Sequence, residues 1–126
     1  MGITQVTAAV RNPAKPDTAW EALFLVDTGA VDCLVPGRHL RELGIEPRGK
    51  RIYELADGSE VTLDVGGAEI EFMGDRVWTT VIFGADDAEP ILGVTALDSV
   101  GIEVDPRTQR LQRLPSVRLK AATRQS

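Results

Sequence analysis

The sequence predicts an all-β domain folded as a small barrel, and three observations lead there. Twelve glycines and seven prolines cut the 126 residues into short pieces. Between these breaks apolar and polar residues alternate with the two-residue period of strands. Helical spacing is confined to two scraps, at 36–43 and 95–100. Many short strands with so little helix are read as a barrel-like domain, whose closure removes the exposed sheet edges that invite aggregation.

The elements follow in order. Residues 3–10 read as a first strand, followed by a proline-containing loop at 12–17. Residues 20–26 are almost continuously apolar, which predicts a strand buried on both faces. The strand ends at Asp27-Thr28-Gly29, a turn signal. In the helical scrap at 36–43, Pro36 stands near the start and Gly44 is the stop. Strands at 51–56 and 59–65 flank Asp57-Gly58, the strongest short hairpin signal in the chain. Gly66-Gly67 reads as a turn into a strand at 68–72, and Gly74-Asp75 as a turn into another at 76–83. A polar loop at 86–90 precedes Ile91-Leu92-Gly93. The second helical scrap takes Thr95 as its N-cap and Gly101 as its stop. Strands at 102–104 and 110–114 form a last hairpin across Asp105-Pro106. Residues 1–114 form one domain, and residues 115–126 form a basic tail that is expected to fray.

Composition narrows the function. The chain is 43% hydrophobic but only 5% aromatic, so Val, Leu and Ile must fill its core. The longest apolar stretch, Ala22-Leu23-Phe24-Leu25-Val26, falls far short of the roughly 18 residues of a membrane span. No leader-like segment opens the chain, and Cys33 is the only cysteine, which excludes an internal disulfide; a cytoplasmic location is the expectation. Residues 107–126 hold six of the fourteen basic residues and no acidic one. The remaining eight basic residues face all nineteen acidic ones, leaving the body of the chain near −11. Such a body repels phosphate, so nucleic acid is not an expected partner.

The chemistry concentrates at Phe24-Leu25-Val26-Asp27-Thr28-Gly29-Ala30. A carboxylate set at the end of a buried strand, followed by a small hydroxyl residue and a glycine, is unusual as architecture alone. Glycine lets a backbone turn sharply or approach a substrate closely. Taken alone, Asp-Thr-Gly is also compatible with an ordinary turn. Other groups fit packing or solvation better than chemistry. Cys33 lies beside Leu34 and Val35 and reads as a small core residue rather than a nucleophile paired with His39. His39 is expected at the surface. Asp86, Asp87 and Glu89 lack the glycine-bearing spacing of a calcium loop. Trp20 and Trp78 read as packing residues.

The segment from Phe24 to Ala30 resembles the active-site signature of the retropepsin-like aspartic peptidases. That family places two apolar residues and a glycine about 60 residues later, before a short helix, as Ile91-Leu92-Gly93 stands here. Between the two motifs it places a β-hairpin flap, matched by the hairpin around Asp57-Gly58. Leu-Gly-Ile at 43–45, Leu-Ala-Asp-Gly at 55–58 and Gly-Ile-Glu-Val-Asp at 101–105 bring the chain nearest to bacterial single-domain members. The resemblance covers about residues 18–114. It implies a closed barrel in each subunit of a homodimer, because one Asp-Thr-Gly is half a site. It also implies catalysis without metal or organic cofactor. The Asp27 carboxylates of two subunits would share one proton, since like charges about 3 Å apart cannot both ionise. One would act as base on a water while the other polarises the scissile carbonyl, which favours acid to near-neutral conditions. Thr28, Gly29 and Gly93 would support the dyad loop. Ala30, with Ala56, Asp57 and Gly58 of the flap, would contact the backbone of an extended polypeptide substrate.

The chain departs from the family pattern at two positions. Retroviral members carry an acid after Asp-Thr-Gly-Ala and an arginine after the second glycine, and these pair. Val31 and Val94 replace both. No unpaired buried charge results, but the dimer must be braced differently. Two alternative functions stand beside the endopeptidase: a non-catalytic dimerisation or peptide-binding module on the same fold, and a peptidase restricted to its own precursor.

Overall fold

A computed structural model describes residues 4–117. The elements run β1 (Gln5–Arg11), β2 (Ala19–Asp27), β3 (Cys33–Pro36), α1 (Gly37–Glu42), β4 (Gly49–Glu54), β5 (Glu60–Phe72), β6 (Asp75–Gly84), β7 (Ile91–Gly93), α2 (Val94–Ser99), β8 (Ile102–Asp105) and β9 (Arg110–Arg113).

Seven strands form one sheet in the order β1-β2-β7-β3-β6-β5-β4. Pairing of Ala9, Val10 and Arg11 with Glu71, Ile70 and Glu69 joins β1 to β5 and closes six of the seven into a barrel. β4 stays outside the closure, paired only with β5. The strand β5 therefore serves two structures: residues 60–65 form the hairpin with β4, and residues 65–72 form barrel wall against β6. Two parallel pairings, β2 with β7 and β3 with β6, thread the middle of the chain through the barrel. β8 and β9 make a separate two-stranded sheet.

The barrel is filled as the composition requires, by aliphatic residues around few aromatics. Val10, Phe24, Val35, Leu40, Ile70, Phe72, Val81, Leu92, Leu97 and Ile102 are all but sealed from solvent. Alternation along β1, β5 and β6 places these side chains inward, as the pleat demands. Ile70 sits where β1, β5 and β6 all meet. Ile70→Val is expected to cost about 0.5–1.5 kcal/mol, read as a lower urea midpoint at unchanged slope.

Several local expectations are corrected. β2 is not buried on both faces: Phe24 is sealed, while Leu23 is 52% exposed, so the apolar run conceals an ordinary alternation. Gly66-Gly67 is not a turn, and β5 runs straight through it. A Cβ on Gly66 would stand 3.0 Å from the Glu46 carbonyl oxygen and 3.1 Å from Phe83. On Gly67 it would stand 3.0 Å from the Trp78 ring. The pair is there to let neighbours approach, not to bend the chain. Thr95 does not cap α2; Gly93 occupies the cap position with no side-chain bond, and Thr95 N–H donates instead to the Val31 carbonyl. The expected turn holds at Gly58, whereas the one expected at Gly74-Asp75 sits one residue earlier, at Met73-Gly74, where both residues take positive φ and Asp75 already opens β6. The basic stretch is described only to Val117, and within it Arg113 pairs with Asp75 of the body. Residues 118–126, and the start of the first expected strand at residue 3, lie outside the described residues.

Candidate active site

Asp27 ends β2 in parallel register with Gly93 of β7. Two contacts shape the turn that follows. The Gly29 N–H donates to Asp27 Oδ1 at 2.9 Å, and the Ala30 N–H donates to the Asp27 carbonyl at 3.1 Å. The next residues are fastened to the start of α2: Val94 N–H donates to the Ala30 carbonyl at 2.8 Å, and Thr95 N–H to that of Val31 at 3.2 Å. Behind them Gly93 approaches so closely that a Cβ there would lie 2.6 Å from the Asp32 carbonyl. The Gly93 N–H faces Cys33 Sγ at 3.4 Å. The carboxylate thus stands on a backbone tied from three sides.

Asp27 opens into a cleft of about 800 Å³. Gly29, Ala30 and Val31 form part of its floor; Ile52, Leu55 and Ala56, from β4 and the chain just beyond it, form the overhang. Leu34, Leu63, Ile82 and Ile91 complete a largely apolar lining. Val31 and Ile52, 61% and 64% exposed, turn apolar surface towards open space around this cleft. Thr28 does not line this cleft; with Asp27 it borders a smaller recess of about 260 Å³, together with Thr4, Leu25, Val26, Val104 and Gln109. Asp57 and Gly58 lie at the hairpin tip and do not line the cleft. The Asp57 carboxylate accepts from the Ser59 N–H and hydroxyl, and those bonds hold it below the usual carboxylate range.

A cluster absent from the expected site residues stands in the same cleft. Asp32, 6% exposed, accepts at Oδ2 from the Arg51 guanidinium at 2.9 Å and from the Tyr53 hydroxyl at 2.7 Å. Burial, then the hydrogen bond to Asp32, push the Tyr53 phenol up to about 12. The charge of Asp32 raises the Arg51 guanidinium further above its ordinary range. The signal in the sequence was present but weak: Arg51 and Tyr53 alternate onto one face of a strand, and an acid follows Asp27 at five residues. A raised phenol favours the neutral form in the folded state. Its stabilisation is complete below pH 10 and is lost as the pH climbs through about 12. Urea midpoints over that range are expected to fall in the wild type by a step that Tyr53→Phe lacks.

The remaining expectations resolve simply. Cys33 is fully buried, and burial pushes its thiol up to about 11, so it carries no nucleophilic thiolate at neutral pH. His39 is not an open surface residue; it stacks on Trp20 at 4.2 Å and pairs with Glu42. Trp20 packs against the core as expected, whereas Trp78 is 65% exposed and lies over Gly67.

Comparison with solved structures settles the architecture. The chain is similar to the protease of simian foamy virus (mac), with 17% identity and a TM-score of 0.53 over 75% of this chain and 91% of that one. It is also similar to the EIAV protease complexed with the inhibitor HBY-793, with 22% identity and a TM-score of 0.52 over 79% and 89% of the two chains. The fold is retropepsin-like. A foamy viral protease–reverse transcriptase in complex with an RNA/DNA hybrid matches with 18% identity and a TM-score of 0.56, over 75% of this chain and 11% of that one. No family model and no curated protein matches the sequence. Within the retropepsin-like barrel, Asp27 occupies the end of a strand beside a second apolar-apolar-Gly strand, under an overhanging hairpin.

Proposed function

We propose that the protein is an aspartic endopeptidase that works as a homodimer, each subunit contributing Asp27. The observation that carries this reading is the placement of Asp27: a carboxylate on a rigid turn, at the floor of an apolar cleft roofed by a hairpin, in a retropepsin-like barrel. One subunit holds a single such carboxylate. Peptide hydrolysis by this chemistry needs two, one to take a proton from water and one to give a proton to the carbonyl oxygen. A two-fold axis through the Asp27 turns supplies the second. The recess beside Thr28, which Asp27 also borders, is bounded by Thr4, by residues of β2 and β8 and by Gln109.

In this reading Gly29 and Gly93 keep the Asp27 turn in shape, and Thr28 bonds across the two-fold axis. The substrate is an extended polypeptide lying between Ala30 and the hairpin, with Ala56 nearest its backbone and Asp57 and Gly58 reaching over from the tip. The apolar lining favours apolar side chains beside the scissile bond. The test pairs sedimentation with cleavage of a diverse peptide library at acid to neutral pH. A dimer at tens of micromolar that cuts at reproducible, mainly apolar sites supports the reading. A strict monomer without cleavage overturns it, and a silent dimer points to a peptide-binding module or to self-processing.

A further inference from the structure

We propose that Asp32 is a positioning residue for this site: its carboxylate pins the first strand of the overhanging hairpin through Arg51 and Tyr53, and so sets the height of the roof above Asp27. The inference rests on the peptidase reading for its purpose, though not for its geometry.

The anchor point is immobile. Asp32 packs by its own carbonyl against Gly93, which pairs in register with Asp27. The two residues before it are bonded to the start of α2. The part to be anchored is free by construction. β4 is the end strand of the sheet and pairs with β5 alone, so the hairpin leaves the barrel as a two-stranded arm. Such a pair is marginally stable without further packing. Among the described residues, the side-chain hydrogen bonds and ion pairs by which residues 49–59 reach beyond β5 are Arg51 and Tyr53 to Asp32. Both end on one oxygen of one buried carboxylate, and both are charge-assisted, about twice as strong as neutral bonds. Arg51 and Tyr53 are two residues apart, hence on the same face of β4, and Ile52 between them is largely exposed at the cleft. A rigid path therefore runs from the roof through Tyr53 and Arg51 to Asp32, to Gly93 and to Asp27. Val31, next to Asp32, carries no charge, so this cluster ties the Asp27 loop to the hairpin of its own chain.

Tyr53 is the only tyrosine, which makes the contact directly observable. Asp32→Asn, Tyr53→Phe and the double variant are compared with the wild type in the full chain. The wild-type tyrosinate absorbance should titrate near 12, and in Asp32→Asn its midpoint should fall part of the way towards 10, burial still holding it up. Added chymotrypsin, which cuts after Tyr53 and Leu55, should nick Asp32→Asn about tenfold faster, at temperatures where the barrel is still fully folded. On a cleaved peptide, KM should rise about tenfold with kcat nearly unchanged. The double variant should be no worse than Asp32→Asn, since both changes break one cluster. An unmoved tyrosine midpoint with unmoved nicking overturns the latch, whether or not the protein cleaves peptides. A fall in kcat at constant KM also overturns it, placing Asp32 in the chemistry instead. If no peptide is cleaved at all, titration and nicking still decide the latch, and the peptidase reading fails separately.

Discussion

Replacing Asp27 by Asn should lower the proposed peptide cleavage by about 10²–10⁴-fold, the usual worth of a positioned acid–base group, while leaving the fold and any subunit pairing intact. The two halves of that expectation have separate causes. The structural work of Asp27 is to accept the Gly29 N–H through Oδ1, and to offer its main chain to Gly93 and Ala30. An amide oxygen can accept the same N–H, and the main chain is untouched. Its chemical work in the proposed reading is to exchange a proton with water and substrate, which a carboxamide does not do. Circular dichroism, sedimentation and melting of the variant should therefore overlay those of the wild type, and only turnover should fall. Equal cleavage by both proteins would assign the activity to a contaminant and remove the main support for the endopeptidase.

Gly93→Ala should be the most damaging glycine-to-alanine change among the described residues. The added carbon would lie 2.6 Å from the Asp32 carbonyl carbon and oxygen and 2.8 Å from the Val31 carbonyl oxygen. All three atoms are backbone, so no rotamer change relieves the contact. Overpacking in a core costs about 1–3 kcal/mol, and a clash with fixed main chain belongs at the top of that range. For a domain of this size that lowers the melting temperature by about 10 °C. Because the chain must shift between Val31 and Asp32, the loop that carries Asp27 shifts with it, and cleavage should fall more than stability alone explains. Thermal melting against residual activity at a temperature where the variant is still folded separates the two. A fully stable, fully active Gly93→Ala would show that the spacing between β7 and the loop is looser than described.

These two residues were legible for the same reason: their signal is local. An apolar strand running into Asp-Thr-Gly, and a second apolar pair running into Gly, are patterns a few residues long, and strand alternation fixes what they face. The hairpin at Asp57-Gly58 was legible too, since a turn is chosen by its own residues. What was lost depends on partners distant in the chain. Gly66-Gly67 carries the composition of a turn, yet its glycines answer to Glu46, Trp78 and Phe83, none of them nearby in sequence. Asp32 meets Arg51 and Tyr53 across 19 and 21 residues, a pairing no short window displays. The charged neighbours of His39 point to the surface, but Trp20, from β2 and 19 residues away, stacks over it. The apolar run at 20–26 misled in the opposite sense: Leu23 is apolar and exposed, and hydrophobicity alone does not say which face of a strand is covered.

The sharing of β5 between hairpin and barrel decides what kinds of sequence change each part can absorb. Residues added at Gly58 lengthen the arm at its free end, where a Cβ meets nothing within 4 Å, and leave every pairing from Val65 onwards in place. One residue added at Gly66-Gly67 would instead slide the rest of the strand by one position, turning Ala68, Ile70 and Phe72 out to solvent and Glu69 and Glu71 into the core. Insertions should therefore accumulate at the tip and be purged seven or more residues further along. The reach of the roof can vary from one descendant of this chain to the next while the vessel beneath it stays the same.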